Sequence, residues 1–230
     1  MPLAIDLFCG LGGWTDGLLA EGWDVIGFDI ERHVYGEHRY PAQLVLQDVL
    51  TLHGSQFRDA DLIVASPPCQ AYSYRAMPWK RAKALPPPCN ALFEACFRIQ
   101  REACEAAGRH IPLIVENVRG AQPWVGRARW NYGSFYLWGD VPALMPPTFK
   151  AQKRMLIGGG CHHLRGPHDP AKYWSDGVKQ RGSGREWFAG DGKISRMTSS
   201  KSPARKMASA MIAKIPLPLS RHVAKTFFPK

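Results

Sequence analysis

The 230-residue chain has no apolar run near the roughly 18 residues that cross a bilayer. It also lacks a basic amphipathic helix with an aromatic face, so no membrane-bound segment is expected. The opening MPLAIDLFCG has neither a basic stretch nor a small-residue cleavage site, which argues against a secretory signal and implies the cytoplasm. Cysteine is sparse, at six residues, and in that compartment the thiols are expected reduced rather than paired. No internal repeat or low-complexity segment is found. A phosphate-cradling P-loop is missing too: the turn CGLGG is too short, and no Gly-Lys-Ser/Thr follows it.

Acidic residues are scarce in one half only. Residues 1–118 hold 10 Lys+Arg against 14 Asp+Glu, whereas residues 119–230 hold 20 against 5. The net charge of +11 is therefore a net −4 followed by a net +15. Such a split favours a polyanionic partner for the second half over a surface that is merely cationic. Hydrophobic content of 45% and charged content of 21% fit a globular protein, long enough for one domain with a sizeable core.

The first half is made of short apolar runs separated by helical patterns. LAIDLF (3–8), DVIGFDI (24–30), LVLQDV (44–49), DLIVAS (61–66) and IPLIVENV (111–118) read as strands. WTDGLLAEG and NALFEACFRIQREACEAAG (90–108) read as helices, the second stopping at Gly108. Strands that are apolar throughout and separated by helices predict a parallel sheet covered on both faces. In such sheets ligands bind beyond the carboxyl ends of the strands. Those ends carry CGLGG, DIE, QDV, SPPCQ and ENV. After about residue 120 periodicity fades, and residues 140–195 read as loop with short strands. A helix is expected from about Ser202 to Ala213 with Pro203 at its first position, and IPLPLSRHVAKTFF closes the chain as an apolar strip docking on the sheet.

Individual positions suggest uses. A glycine-rich turn after the first strand lets backbone approach a ligand, although many α/β folds use glycine there for packing alone. Asp29, ending the second strand, stands where ribose hydroxyls are gripped in nucleotide-binding sheets, or is a surface acid near a turn. Asp48 could accept from an adenine amino group. Cys69 follows Pro67 and Pro68 at a strand tip, a position that looks arranged for reaction rather than for filling a core.

Together, DLFCGLGG, GFDIE, QDV, SPPCQAYS, NALF and ENVRG, in this order over residues 3–120, resemble the cytosine-C5 DNA methyltransferase family, which uses S-adenosylmethionine. The resemblance implies an α/β Rossmann-like methyltransferase fold, a mostly parallel sheet with helices on both faces, plus a small irregular basic target-recognition region. The expected boundaries are 1–140 for the catalytic core, 141–200 for target recognition and 201–230 for a segment packing back on the core. Cys69 would be the nucleophile that adds to carbon 6 of a flipped cytosine, making carbon 5 nucleophilic. Glu116 would donate at N3, for which burial must keep it protonated. Asn117 would hold the Glu-bearing turn or serve structure alone. Phe8, Gly10, Leu11, Gly12, Gly13 and Trp14 would shape the methionine end of the cofactor site. Asp29 would take the ribose, Ile30 and Asp48 the adenine, and Val49, Pro67 and Leu92 would complete the pocket.

The chain departs from the family pattern in places. Of the family's glutamine-arginine-arginine motif, AQKRMLI offers Gln152 and Arg154, with Leu156 at the second arginine position; otherwise these belong to a plain basic strand. In MIAKIPLPLSRHV, Ala213 and Lys214 replace the expected polar residues of the late cofactor element. Cys161, His162, His163 and His168 lack a second cysteine pair, so no metal is expected. Double-stranded DNA is the expected partner, gripped by Arg127, Arg129, Lys153, Arg154 and Arg181. RNA is the alternative, since one branch of the family modifies tRNA, and a catalytically silent binding relative is the other. A monomer of phage or mobile-element type, acting in a bacterial cytoplasm, is expected. The segment AYSYRAMPWKRAKALPPP after Cys69 is the expected closing loop.

Overall fold

The computed structural model describes residues 1–73, 84–146 and 203–229. In chain order the elements are β1 (Leu3–Leu7), α1 (Gly13–Ala20), β2 (Asp24–Asp29), β3 (Val34–Tyr35), β4 (His38–Arg39), β5 (Gln43–Leu46) and β6 (Leu62–Ala65). There follow α2 (Ala91–Ala107), β7 (Leu113–Asn117), α3 (Gln122–Val125), β8 (Trp130–Tyr132), β9 (Phe135–Gly139), α4 (Pro203–Ala213) and α5 (Leu217–Phe227). One seven-stranded sheet has the order β5-β2-β1-β6-β7-β9-β8, and β3 with β4 forms a separate hairpin. The first five strands in that order run parallel; β9 is antiparallel to β7, and β8 to β9. This is a Rossmann-like α/β fold, with the mostly parallel sheet expected from the sequence.

The parallel strands are apolar on both faces because both faces are covered. Leu62 and Val64 of β6 join Ala4, Val25 and Ile114 beneath α1 and α5. Ile63 and Ala65 join Ile5, Leu7, Leu113 and Val115 on the opposite face. There α2 supplies Phe93, Cys96, Ile99 and Ala103, whose three- and four-residue spacing forms one stripe of the helix. Gly108 ends α2 in the left-handed conformation that other residues adopt only at a cost.

Each of the five expected strands lies where the apolar runs placed it, but the third stops at Leu46, earlier than LVLQDV suggests. Asp48 instead caps a single 3-10 turn, its Oδ1 accepting from the Leu50 N–H at 2.9 Å. Fading periodicity after residue 120 concealed the β8–β9 hairpin. Its strands WNY and FYLWG are joined by Gly133 and Ser134, with Tyr132 opposite Phe135. Gly133 has φ 59, which a tight two-residue connection requires. The expected late helix runs from Pro203 to Ala213. The last apolar strip is α5, which packs chiefly along α1 and puts Leu219, Val223 and Ala224 in the same core cluster as the sheet residues Ala4, Leu62 and Val64. Among the described residues no helix is long and apolar enough to cross a membrane.

Candidate active site

Strand order reverses direction at β1, whose neighbours are β2 and β6, so a crevice opens at the carboxyl ends of β1 and β6. The chain leaves β1 through Phe8, the one non-glycine residue with positive φ (57°) among those described. Gly12 follows at φ 74, and a side chain there would collide with Pro41. At Gly10 an added Cβ would meet nothing within 4 Å, so the backbone faces open space at the crevice. The Gly10 N–H donates to Asp29 Oδ2 at 2.9 Å, tying the glycine turn to the end of β2. Glu31 N–H donates to the other oxygen at 3.3 Å, and His33 Nε2 stands 3.6 Å from it. Burial opposes ionisation of Asp29, but His33 and the two N–H donors outweigh it and hold the carboxyl below its ordinary range.

The second wall is built by β6 and β7. Asn117 is buried at the end of β7, its Nδ2 donating to the Pro67 carbonyl at 2.9 Å and its Oδ1 accepting from the Val118 N–H. One amide thus joins the Pro-Pro-Cys turn to the strand that carries Glu116. Glu116 itself is buried, and loss of hydration pushes its pKa up to about 8 against an opposing hydrogen bond from Ser66. At neutral pH this carboxyl keeps its proton. Ser66 also accepts from the Trp14 indole N–H at 3.1 Å, so α1, β6 and β7 meet at one hydroxyl. Cys69 is half-buried. Burial raises its thiol pKa, a Ser73 hydrogen bond lowers it and the nearby Glu116 raises it further, the net shift being upward. The resting group is a thiol.

Phe8, Gly10, Gly12, Gly13 and Asp29 therefore lie around the β1–β2 side of the crevice. Ile30 is 73% exposed, an apolar side chain held in solvent beside Asp29. Val49 is buried, Leu11 is buried, and Leu92 is half-buried near the start of α2. Trp14, 1% exposed, is chiefly a core anchor for α1. Sequence reasoning missed Ser66, whose only signal is its position directly before Pro-Pro-Cys. It also missed Tyr72 and His33. Arg154, its partners Gln152 and Leu156, and Cys161, His162, His163 and His168 lie outside the described residues, as do Lys153 and Arg181. Arg127 and Arg129 are exposed. Among the described residues no three His, Cys, Asp or Glu side chains group as metal ligands. A groove of about 770 Å³ along α2, lined by Leu50, Ala91, Phe97, Arg98 and Trp124, flanks the crevice but includes none of Cys69, Glu116 or Asp29.

A protein-family model described as C-5 cytosine-specific DNA methylase matches residues 3–122, just over half of the chain. The chain belongs to this family. Solved structures that match part of the chain include an Escherichia coli prophage-encoded protein described as a DNA modification methyltransferase, at 26% identity and a TM-score of 0.39 over 55% of this chain and 35% of that one. Dnmt2 of Schizosaccharomyces pombe matches at 19% identity and a TM-score of 0.38, over 53% and 36%. The Entamoeba histolytica methyltransferase EhMeth matches at 18% and 0.39, over 55% and 41%. The chain spans well under half of the length of each of those proteins. No curated protein matches it.

Proposed function

We propose that this C-5 methylase transfers a methyl group from S-adenosylmethionine to carbon 5 of cytosine in double-stranded DNA, with Cys69 as nucleophile and Glu116 as acid. The observation that carries this reading is the Asn117–Pro67 hydrogen bond, which sets a thiol-bearing turn beside a protonated buried carboxyl. The crevice fits the cofactor: an open backbone at Gly10, an ionised Asp29 for ribose hydroxyls and an exposed apolar Ile30 for an adenine face. The bound cofactor supplies an electrophilic methyl on sulfur.

The protein's own groups do the rest. Cytosine carbon 5 is too electron-poor to attack a sulfonium methyl, and its place inside the duplex requires the base to be flipped out. Cys69 sulfur bonds to carbon 6 after losing its proton, and the displaced electron pair moves toward N3. There Glu116, neutral because it is buried, donates a proton and relieves the charge. Carbon 5 is then an enamine carbon able to take the methyl group. Loss of the carbon 5 proton drives elimination of the Cys69 thiolate, and Glu116 recovers its proton from N3. The raised thiol pKa means that Cys69 must be deprotonated as the base docks, so the resting enzyme is guarded against oxidation.

Labelled cofactor with duplex DNA and tRNA in parallel tests the reading. We expect label in DNA, and Cys69→Ser to lower turnover by far more than tenfold while S-adenosylhomocysteine binding, measured by calorimetry, is nearly unchanged. Serine-variant activity within about tenfold of wild type would remove the covalent mechanism. Label in tRNA alone would overturn the DNA substrate.

A further inference from the structure

The turn that carries Cys69 is fastened on its far side as well, by residues to which the proposed reaction gives no role. The Cys69 carbonyl accepts from the Tyr72 N–H at 3.0 Å and from the Ser73 hydroxyl at 2.9 Å. Tyr72 is 3% exposed, and its hydroxyl donates to Asn90 Oδ1 at 2.9 Å. Asn90 Nδ2 donates in turn to the Trp124 carbonyl at 3.0 Å, in the short helix that follows the Glu116 strand. Gly120 lies directly against the Tyr72 carbonyl, where any side chain would collide. Asn90 stands at the N-cap of α2, where an asparagine oxygen ordinarily accepts from the first turn of its own helix. Here no such capping bond forms. The side chain is committed instead to joining the Cys69 turn and the Glu116 connection.

We propose that Tyr72, acting through Asn90, is a positioning residue that fixes the Cys69 thiol relative to Glu116. This rests on the reading of Cys69 and Glu116 given above. Asn117 holds the Pro67 end of the turn and Tyr72 the other, so neither end can drift alone. A thiol that must reach carbon 6 is sensitive to such drift, since displacement by about 1 Å costs on the order of a hundredfold in rate.

Tyr72→Phe deletes one hydroxyl and keeps the buried ring. A duplex containing 5-fluorocytosine, with S-adenosylmethionine present, provides the probe: once the methyl group is on carbon 5, fluorine leaves no proton to remove and the Cys69 adduct persists. We expect Tyr72→Phe to slow adduct formation at least about tenfold, with the dissociation constant for S-adenosylhomocysteine within about twofold of wild type. Asn90→Ala should do the same, and the double variant should be no slower than the slower single one, as expected for two ends of one bond. Wild-type rates in Tyr72→Phe overturn the clamp, as does a parallel loss of cofactor binding, which marks general disorder. Absence of adduct in the wild type overturns the reading of the site instead. Iodoacetamide labelling of Cys69, followed by mass spectrometry, then decides the clamp without any substrate: faster alkylation in Tyr72→Phe supports it, and an equal rate overturns it.

Discussion

Asp6 sits in β1 with 1% of its surface exposed, and its Oδ1 has no hydrogen-bond partner among the described residues. Its Oδ2 accepts from Thr15 at 2.6 Å, and Thr15 shares a 2.7 Å bond with the buried Tyr40 hydroxyl. Tyr40 fills the space against Gly27 and Gly12, so this chain of polar groups supports the glycine turn from beneath. Burial raises the Asp6 pKa to about 7, with the Thr15 bond opposing and Asp29 adding to the rise. Below about pH 4 the group is neutral folded and unfolded alike. Between there and pH 7 the unfolded chain releases the proton first, so the folded state binds more protons and stability falls as pH rises. Above pH 7 both states are ionised and the loss is complete. Asp6→Asn cannot titrate, so its stability relative to wild type should improve by up to about 1.4 kcal/mol per pH unit from pH 4 to 7, then level off. Urea unfolding of both proteins across that range measures it. A difference that does not change with pH would show that Asp6 stays ionised when folded.

At the scale of elements, α1 and α5 come so close that Gly17 has no room for a side chain beside Ser220. Lys214 and Asp16 pair at 2.6 Å at one end of this contact, and Trp23 Nε1 reaches the Ala224 carbonyl at 3.2 Å further along. Gly13 lies equally close to the Ile215 backbone, so the last segment of the chain clamps the helix that starts at the glycine turn. Gly17→Ala should therefore destabilise by about 1–3 kcal/mol through overpacking, despite alanine's better helix propensity. Urea titration measures the loss, and limited proteolysis should show earlier cleavage near the start of α5. An alanine variant as stable as wild type would mean that the two helices have room to part. The same contacts show where sequence reading succeeds. Strands β1, β2, β6 and β7 were legible because each is a continuous apolar run ending in a distinctive turn. The β8–β9 hairpin was not, although WNYGSFYLW holds two aromatic runs around Gly-Ser, since a strand as short as the three-residue β8 gives too few positions for alternation. At the site, Cys69, Glu116 and Asn117 were legible because each lies in a short motif. The Ser66–Trp14 and Tyr72–Asn90 bonds join residues 52 and 18 positions apart, and no local pattern encodes such a meeting.

For the whole molecule the governing quantity is the charge gradient along the chain. The half that supplies most of the crevice is net −4, and the half that follows is net +15. Asp29 would face the ribose of the proposed cofactor on one side, while Arg127 and Arg129, both exposed, begin the basic half of the chain just beyond the Glu116 strand. If residues 119–230 grip the phosphates flanking the flipped cytosine, each neutralised phosphate releases counterions, and log affinity falls against log salt with a slope near −0.9 per contact. A half-molecule with 20 basic residues can readily engage about six phosphates, for a loss on the order of a thousandfold between 50 and 200 mM salt. Phosphate contacts carry no sequence information, so the same slope should appear on duplexes with and without a preferred target, and only the intercept should differ. Fluorescence anisotropy on two such duplexes across that salt range gives both quantities. Cofactor affinity, measured in the same buffers, should change far less, because Asp29 acts through short, partly buried hydrogen bonds that salt screens poorly. A DNA slope shallower than about −2 would mean that few phosphates are held, and the +15 would then need another partner.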